Sequence, residues 1–479
     1  MATSRLSLFW RQYRRRQSGG GAGAVVYAIY VGALVVLIYG APAIRGVAGA
    51  FRRPDVLDVL IQPGTASAVS AVLGGVLAAT FAIGTTRGPA VTRPFVAHAL
   101  ATSDVPRRRA FLGAAIRSGV VVVLVSLAVT AILIGPLADA DAMTAAQLGA
   151  GLVASVFFGL LVAGAWLAGQ AARGAAVWAV PIALLAAVAA GLAWPAADVL
   201  PWSWAAATWP DGSATVPVLQ LVLLAAVALA AAGTTPLLLD SLDGPGIVEQ
   251  SRRWEGATSA ATSGDVSTAL AEFRAPPTVG RRWRLVGGRR FGWAVARADL
   301  VATARTPLRA VVGVLTLGVG GWAFAAAPDV PGLLGWAVRI GAALLVFAGL
   351  GPLSDGLRHA VLAVTTPRLF GVSDGAMIRA HAWAPLLGGI ALGGAGAVAG
   401  GGGEVAWGDL GTVAALIAAV VLVRLASAAK GPPPLALSAP IITPMGDLSV
   451  VGLVAWQLDA VLFAATIGAT LQGALDGSR

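Results

Sequence analysis

Few residues in this chain could do chemistry, and most of those stand in two short stretches. Ser103, Asp104, Pro106 and Arg109 belong to a run S-D-x-x-x-x-R-A, and Ser373, Asp374 and Arg379 belong to a second copy of it. Ser or Asp at such a place accepts a backbone N–H at the start of a helix. Pro106 falls in the first turn, where a missing N–H costs little. Each run is expected to make a stiff helical start that carries an arginine. That arginine suits a protein partner or a lipid phosphate. Two further charges, Arg339 and Asp459, sit inside apolar runs. Charge in hydrocarbon is costly, so such residues pair or line a polar path. Their depths let the two side chains meet, or Arg339 reaches back to the outer surface. Asp459 is the candidate for an ion pathway.

Other chemistry is missing. There is no cysteine, so disulfides and thiolate sites are excluded. The one lysine, Lys430, lies between Ala429 and Gly431, so no P-loop exists. His98, His359 and His381 are not spaced as metal ligands. Neither G-x-S-x-G nor H-E-x-x-H is present. No catalytic, cofactor or metal site is expected, and the chain does not read as an enzyme.

The elements that must position these residues are membrane helices. The chain is 57% hydrophobic and 11% charged, with a mean hydropathy of +0.82. A soluble domain carries about 25% charge. Apolar runs long enough to cross a bilayer fall at 23–43, 66–86, 114–136, 145–169, 175–195, 216–236, 309–327, 333–352, 382–400, 409–427 and 448–471. The expected fold is all-α, a polytopic transmembrane protein of about eleven spans. The run 388–403, nearly all Gly and Ala, reads as a packed span.

The net charge is +11, but the arginines flank the apolar runs, so the partner they imply is the lipid bilayer and no nucleic acid. With the N-terminus cytoplasmic, the inner segments hold most of the basic residues. Only Arg45, Arg52, Arg53 and Arg479 fall outside, and the first three oppose the positive-inside rule. Met1 leads through Arg5 to Arg14, Arg15 and Arg16 into a spanning run, so a cleaved leader is not expected.

The S-D-x-x-x-x-R-A copies each follow the second span of a half and precede an outgoing helix. The Trp/Phe- and Arg-bearing stretches 6–20 and 291–309 precede the first span of each half, as interfacial helices would. The chain therefore reads as two parallel repeats: a first half over 1–239 with six spans, and a second over 297–479 with five. The intervening 240–296 contains a helix at 248–256 and reads as a linker on the membrane surface or on a partner. Outside, 196–215 is rich in Trp and Pro and suits an interfacial anchor or a re-entrant hairpin.

Together these features resemble the permeases of the type-2 ABC exporter class. The stretch Leu100-Ala-Thr-Ser-Asp-Val-Pro-Arg-Arg-Arg is similar to that class's lead into span three. Gly280-Arg-Arg-Trp, Arg297-Ala-Asp-Leu, Arg305-Thr-Pro-Leu-Arg and Ile442-Thr-Pro-Met-Gly look like a fused, double-length actinobacterial subfamily. The resemblance implies a bacterial plasma-membrane subunit that couples a separate ABC ATPase to substrate movement. It implies a coupling helix in the second-to-third loop, and it leaves room for a further membrane subunit or a homodimer. The residues themselves also fit an ion-coupled transporter using Asp459, or a scaffold that transports nothing.

Overall fold

The computed structural model describes residues 36–193, 199–210, 215–262, 290–330, 332–363, 371–400, 407–430 and 449–476, with single residues and short pieces within 26–34, 269–283 and 434–447. The chain divides into two compact units, 1–255 and 256–479. The expected interfacial helix at 6–20 and most of 23–35, the first part of the expected span at 23–43, lie outside the described residues.

In the first unit, α1 (Ala41–Phe51) and α2 (Pro54–Leu60) lead to α3 (Pro63–Thr86), α4 (Pro94–Ala101), α5 (Arg107–Asp139) and α6 (Ala145–Ala171). Then come α7 (Ala176–Ala193), α8 (Pro201–Ala206), α9 (Val218–Gly233), α10 (Thr235–Ser241) and α11 (Gly244–Thr262), within which the unit boundary falls. The second unit holds α12 (Phe291–Ala304), α13 (Pro307–Ala326), α14 (Gly332–Gly349), α15 (Asp355–Ala363), α16 (Asp374–Gly400), α17 (Trp407–Ala429) and α18 (Ser449–Asp476). Proline opens α2, α3, α4, α8 and α13, where its fixed φ is preorganised for a helix. Between α17 and α18 the motif from Ile442 contributes a small antiparallel pair, Ile442–Thr443 with Gly446–Asp447.

Among the described residues, eight helices are long and apolar enough to cross a membrane: 64–86, 107–139, 145–171, 218–241, 307–326, 374–399, 410–428 and 452–471. This is the profile of a multi-pass membrane protein. Two expected spans look different. The one at 333–352 is a pair, Gly335–Gly349 and Pro352–Val361, bent by 47°. Pro352 cannot donate into a continuing helix, so the chain turns there into the short helix α15. The one at 175–195 is α7, whose apolar part, Ala176–Gly191, is shorter than a full span.

The two units pair their helices alike. In the first unit the second span packs on the fourth (α3 on α6) and on the fifth (α3 on α7), and the third on the fourth (α5 on α6), while α1, which follows the first expected span, lies on α5. In the second unit the matching pairings are α14 with α17, α14 with α18 and α16 with α17, and α13 packs on both α14 and α16. Small residues permit the closest crossing. A Cβ at Gly321 of α13 would run into the backbone of Gly393, and one at Gly396 of α16 into the backbone of Gly318. That is the packing expected of the Gly/Ala-rich span.

Two of the three arginines that oppose the orientation rule, Arg52 and Arg53, have acidic partners nearby. Arg52 donates to Asp139 at 2.5 Å and Arg53 lies 3.4 Å from Asp55. At the same end, Trp202 of α8 is buried against α3, and Trp209 donates its indole N–H to Leu60 O at 2.8 Å.

Candidate functional site

Both S-D-x-x-x-x-R-A runs lie at the arginine-rich end of their unit, each following a short helix: α4 in the first unit and α15 in the second. α4 buries Val96, Ala97 and Leu100 and leaves Phe95 72% exposed, with Arg93 and His98 beside it in the open. α15 buries Leu357 and Ala360 and exposes His359. The family resemblance implied a helix in the second-to-third loop without giving its bounds, and α4 lies there; α15 was not foreseen.

The caps differ from expectation in the first run and agree in the second. Pro106 is the N-cap residue of α5 and not part of its first turn, and neither Ser103 nor Asp104 caps that helix. Ser103 instead donates to Leu100 O at 2.9 Å, closing α4. The carboxylate at the start of α5 is Asp240, which accepts the Arg108 N–H at 2.9 Å and lies 3.5 Å from the Arg108 guanidinium. A residue more than a hundred positions away replaces the local cap, because a nearby carboxylate also suits the positive end of the helix dipole. In the second run Ser373 accepts from the Ala376 N–H at 3.4 Å, and Asp374 stands in the first turn of α16. Arg109 and Arg379 are both exposed.

The first loop is held by neutral groups and one stacked cation. Gln250 of α11 accepts from the Gly88 N–H at 3.4 Å and from Gln170 Nε2 at 2.9 Å, and donates to Thr85 O at 3.1 Å. Gln170 in turn accepts the Ala90 N–H at 3.1 Å. Arg87 lies 3.4 Å from the centre of the Trp254 ring, and Trp166 donates to Arg87 O at 2.6 Å. Burial pushes the Arg87 guanidinium below its ordinary pKa. The helix expected at 248–256 is thus longer, and its first part packs on the first unit: Ile247, with Leu239 and Leu242, shares a buried cluster with Val96, Leu100 and Phe111. A polar cavity of about 430 Å³ lies beside it, lined by Thr85, Gln170, Arg173, Asp243 and Gln250.

Two carboxylates, Asp299 and Asp355, hold α15 and the start of α16 in the second loop. His381 Nδ1 of α16 lies 2.7 Å from Asp299 of α12, both largely buried. Arg309 pairs with Asp355 through both guanidinium nitrogens. Thr303 Oγ1 lies 3.0 Å from Pro352 O. Arg305 donates to Gly280 O at 3.1 Å and to Trp283 O at 2.8 Å. Three of the pieces that carry the family resemblance therefore converge: Asp299 from R-A-D-L, Arg305 and Arg309 from R-T-P-L-R, and the backbone of G-R-R-W.

The intramembrane charges do not pair with each other as expected. Asp459 accepts from Lys430 at 2.5 Å, and Lys430 also reaches Trp456 O and lies 4.9 Å from the Trp456 ring centre. Lys430 follows the last turn of α17, so the neighbouring helix end supplies the counter-charge. Arg339 is buried among α13 and α18 residues, 6.0 Å from the Phe324 ring centre, and does not extend to a surface. Among the described residues no group of three or more His, Asp or Glu could hold a metal.

Comparison with protein-family models, with curated proteins and with solved structures finds no match. The functional reading rests on the helix arrangement and on these two loops.

Proposed function

We propose that the chain is the membrane permease of an ATP-driven exporter, built as two duplicated halves in a bacterial plasma membrane, with the arginine-rich ends facing the cytoplasm. The observation that carries this reading is the repeated arrangement. Each unit makes the same three helix pairings among its second to fifth spans, and each places a short, half-buried helix between its second and third spans, followed by an S-D-x-x-x-x-R-A run. A duplicated pair of rigid elements on one side of a membrane suits a partner with two equivalent faces, as a nucleotide-driven dimer has. The chain has no P-loop of its own, so hydrolysis falls to a separate ATPase subunit. α4 and α15 receive it, with Arg109 and Arg379 at the flanks.

A photo-crosslinking residue in place of Phe95, with the full chain in its native membrane, should capture a polypeptide that carries a P-loop and hydrolyses ATP. Capture of lipid alone would leave α4 as a membrane-surface helix and remove the exporter reading. The rival, an ion-coupled transporter working through Asp459, requires that carboxylate to bind and release a cation. The Lys430 ammonium already occupies the place of that cation.

A further inference from the structure

We infer that α11, in the segment joining the two halves, is a splint for the first docking loop, with Gln250 and Trp254 as its positioning residues. The docking role of the loop rests on the exporter reading; the splint itself rests on contacts. Ile247, Gln250, Ser251 and Trp254 follow the i, i+3, i+4, i+7 spacing of one helix face. Ile247 and Ser251 are buried, while Glu249, Arg252 and Glu255 on other faces are exposed.

The stripe runs along the loop from its end to its beginning. A Cβ at Gly244 would lie 3.5 Å from Ala101 Cβ, at the end of α4. Ile247 shares its buried cluster with Val96, Ala97 and Leu100, in the middle of the loop. Gln250 holds Gly88, and Trp254 lies over Arg87, where the loop begins. The ten steps from residue 244 to residue 254 rise about 15 Å, enough to underlie the whole loop.

The hydrogen-bond bookkeeping shows why the loop needs this helix. Residues 88–93 are outside any helix, so their backbone groups have no ladder to join. Gln170 satisfies the Ala90 N–H, and Gln250 accepts from Gly88 and fixes the Gln170 amide. A tether between two halves needs only length and solubility. The amide chain, and a face buried at Ile247 and Ser251 and continued by the Trp254 ring stacked on Arg87, are what a rigid support requires.

The test is amide hydrogen exchange on the full chain in lipid nanodiscs. Gln250→Ala and Trp254→Ala should each speed exchange of residues 88–101 by about ten-fold, with the interior of α5 unchanged. Trp254→Phe keeps a ring under Arg87 and should retain most of the protection. Arg252→Ala, on the exposed face, should change nothing. A protease site placed within 263–268 and then cut should leave the loop protected, because the 244–255 part of α11 belongs to the first unit. Wild-type exchange in the Gln250→Ala/Trp254→Ala double variant overturns the splint. So does loss of protection on cutting, which would mean that tension from the second half holds the loop. None of these measurements involves an ATPase, so failure to find that subunit would sink the exporter reading and leave the splint standing.

Discussion

The two loops occupy the same place in their units and are fixed by different chemistry. The first leans on a helix through amides and a stacked guanidinium. The second is pinned by Asp299 with His381 and by Arg309 with Asp355. Amide chains lose little when one member shifts, because each bond contributes modestly. A buried carboxylate left without its partner costs far more. α15 and the start of α16 are therefore expected to be the stiffer and more brittle, and the first loop the more adjustable. Both loops place a glycine against the holding group. A Cβ at Gly88 would enter the Gln170 amide, and a Cβ at Gly356 would enter the Asp299 carboxylate and the His381 ring.

That pair of glycines gives the largest expected effect. Gly356→Ala should lower the local opening free energy of α15 and the start of α16 by about 3 kcal/mol, because the buried Asp299–His381 contact has to part to make room. Gly88→Ala should cost less, about 1 to 2 kcal/mol, since a glutamine can rotate away. Amide exchange in each unit reads both. Equal losses would show that the two loops are fixed equally well and that the contrast in chemistry has no mechanical consequence.

Next comes removal of the holding groups themselves. Asp299→Asn keeps the shape and removes the charge, and should cost about 2 kcal/mol of local stability around His381. Asp459→Asn sharpens the comparison from inside the membrane. Its pair with Lys430 is partly exposed, and Asn still accepts from an ammonium, so the loss should be of order 0.6 kcal/mol. Transport measured in vesicles should persist in this variant. A variant that inserts and folds normally yet transports nothing would revive the ion-coupled reading.

Much of the fold was readable because its signal is local. A run of about twenty apolar residues identifies a span whatever surrounds it, and α3, α5, α6, α9, α13, α16, α17 and α18 all lie on expected runs. The interruption at Pro352 was written in the sequence as well, but a proline after an apolar run marks either a helix end or a kink. The site was less readable because its contacts join distant positions. Ser373 caps its own helix, a local event, and was foreseen. Asp240 capping α5, Gln170 meeting Gln250, Asp299 meeting His381 and Lys430 meeting Asp459 each need the packed bundle to bring the partners together. Asp459 had a second possible partner in Arg339, and depth alone could not choose between them.

The smallest effect on the fold is expected from Arg109→Glu combined with Arg379→Glu, and it bears most directly on function. Both arginines are exposed, and both stand after a rigid helical start. Surface substitutions of this kind change stability by about 0.5 kcal/mol or less. Exchange protection in the two loops should therefore match wild type. Charge at the rim of an interface acts differently, because reversing it sets like charges against each other and slows association. If the ATPase subunit presents carboxylates to these loops, the double variant should release it from the purified complex, and raised salt should weaken the wild-type complex in the same direction. Lipid phosphate gives the opposite pattern: the arginines would hold membrane, and the ATPase would stay bound in full amount. The single variants then test the contrast between the loops. Arg379 projects from the ion-paired, stiffer side, so Arg379→Glu should reduce ATPase binding more than Arg109→Glu, whose loop can shift to relieve the repulsion. Equal losses from the two single variants would place the two loops on the same mechanical footing.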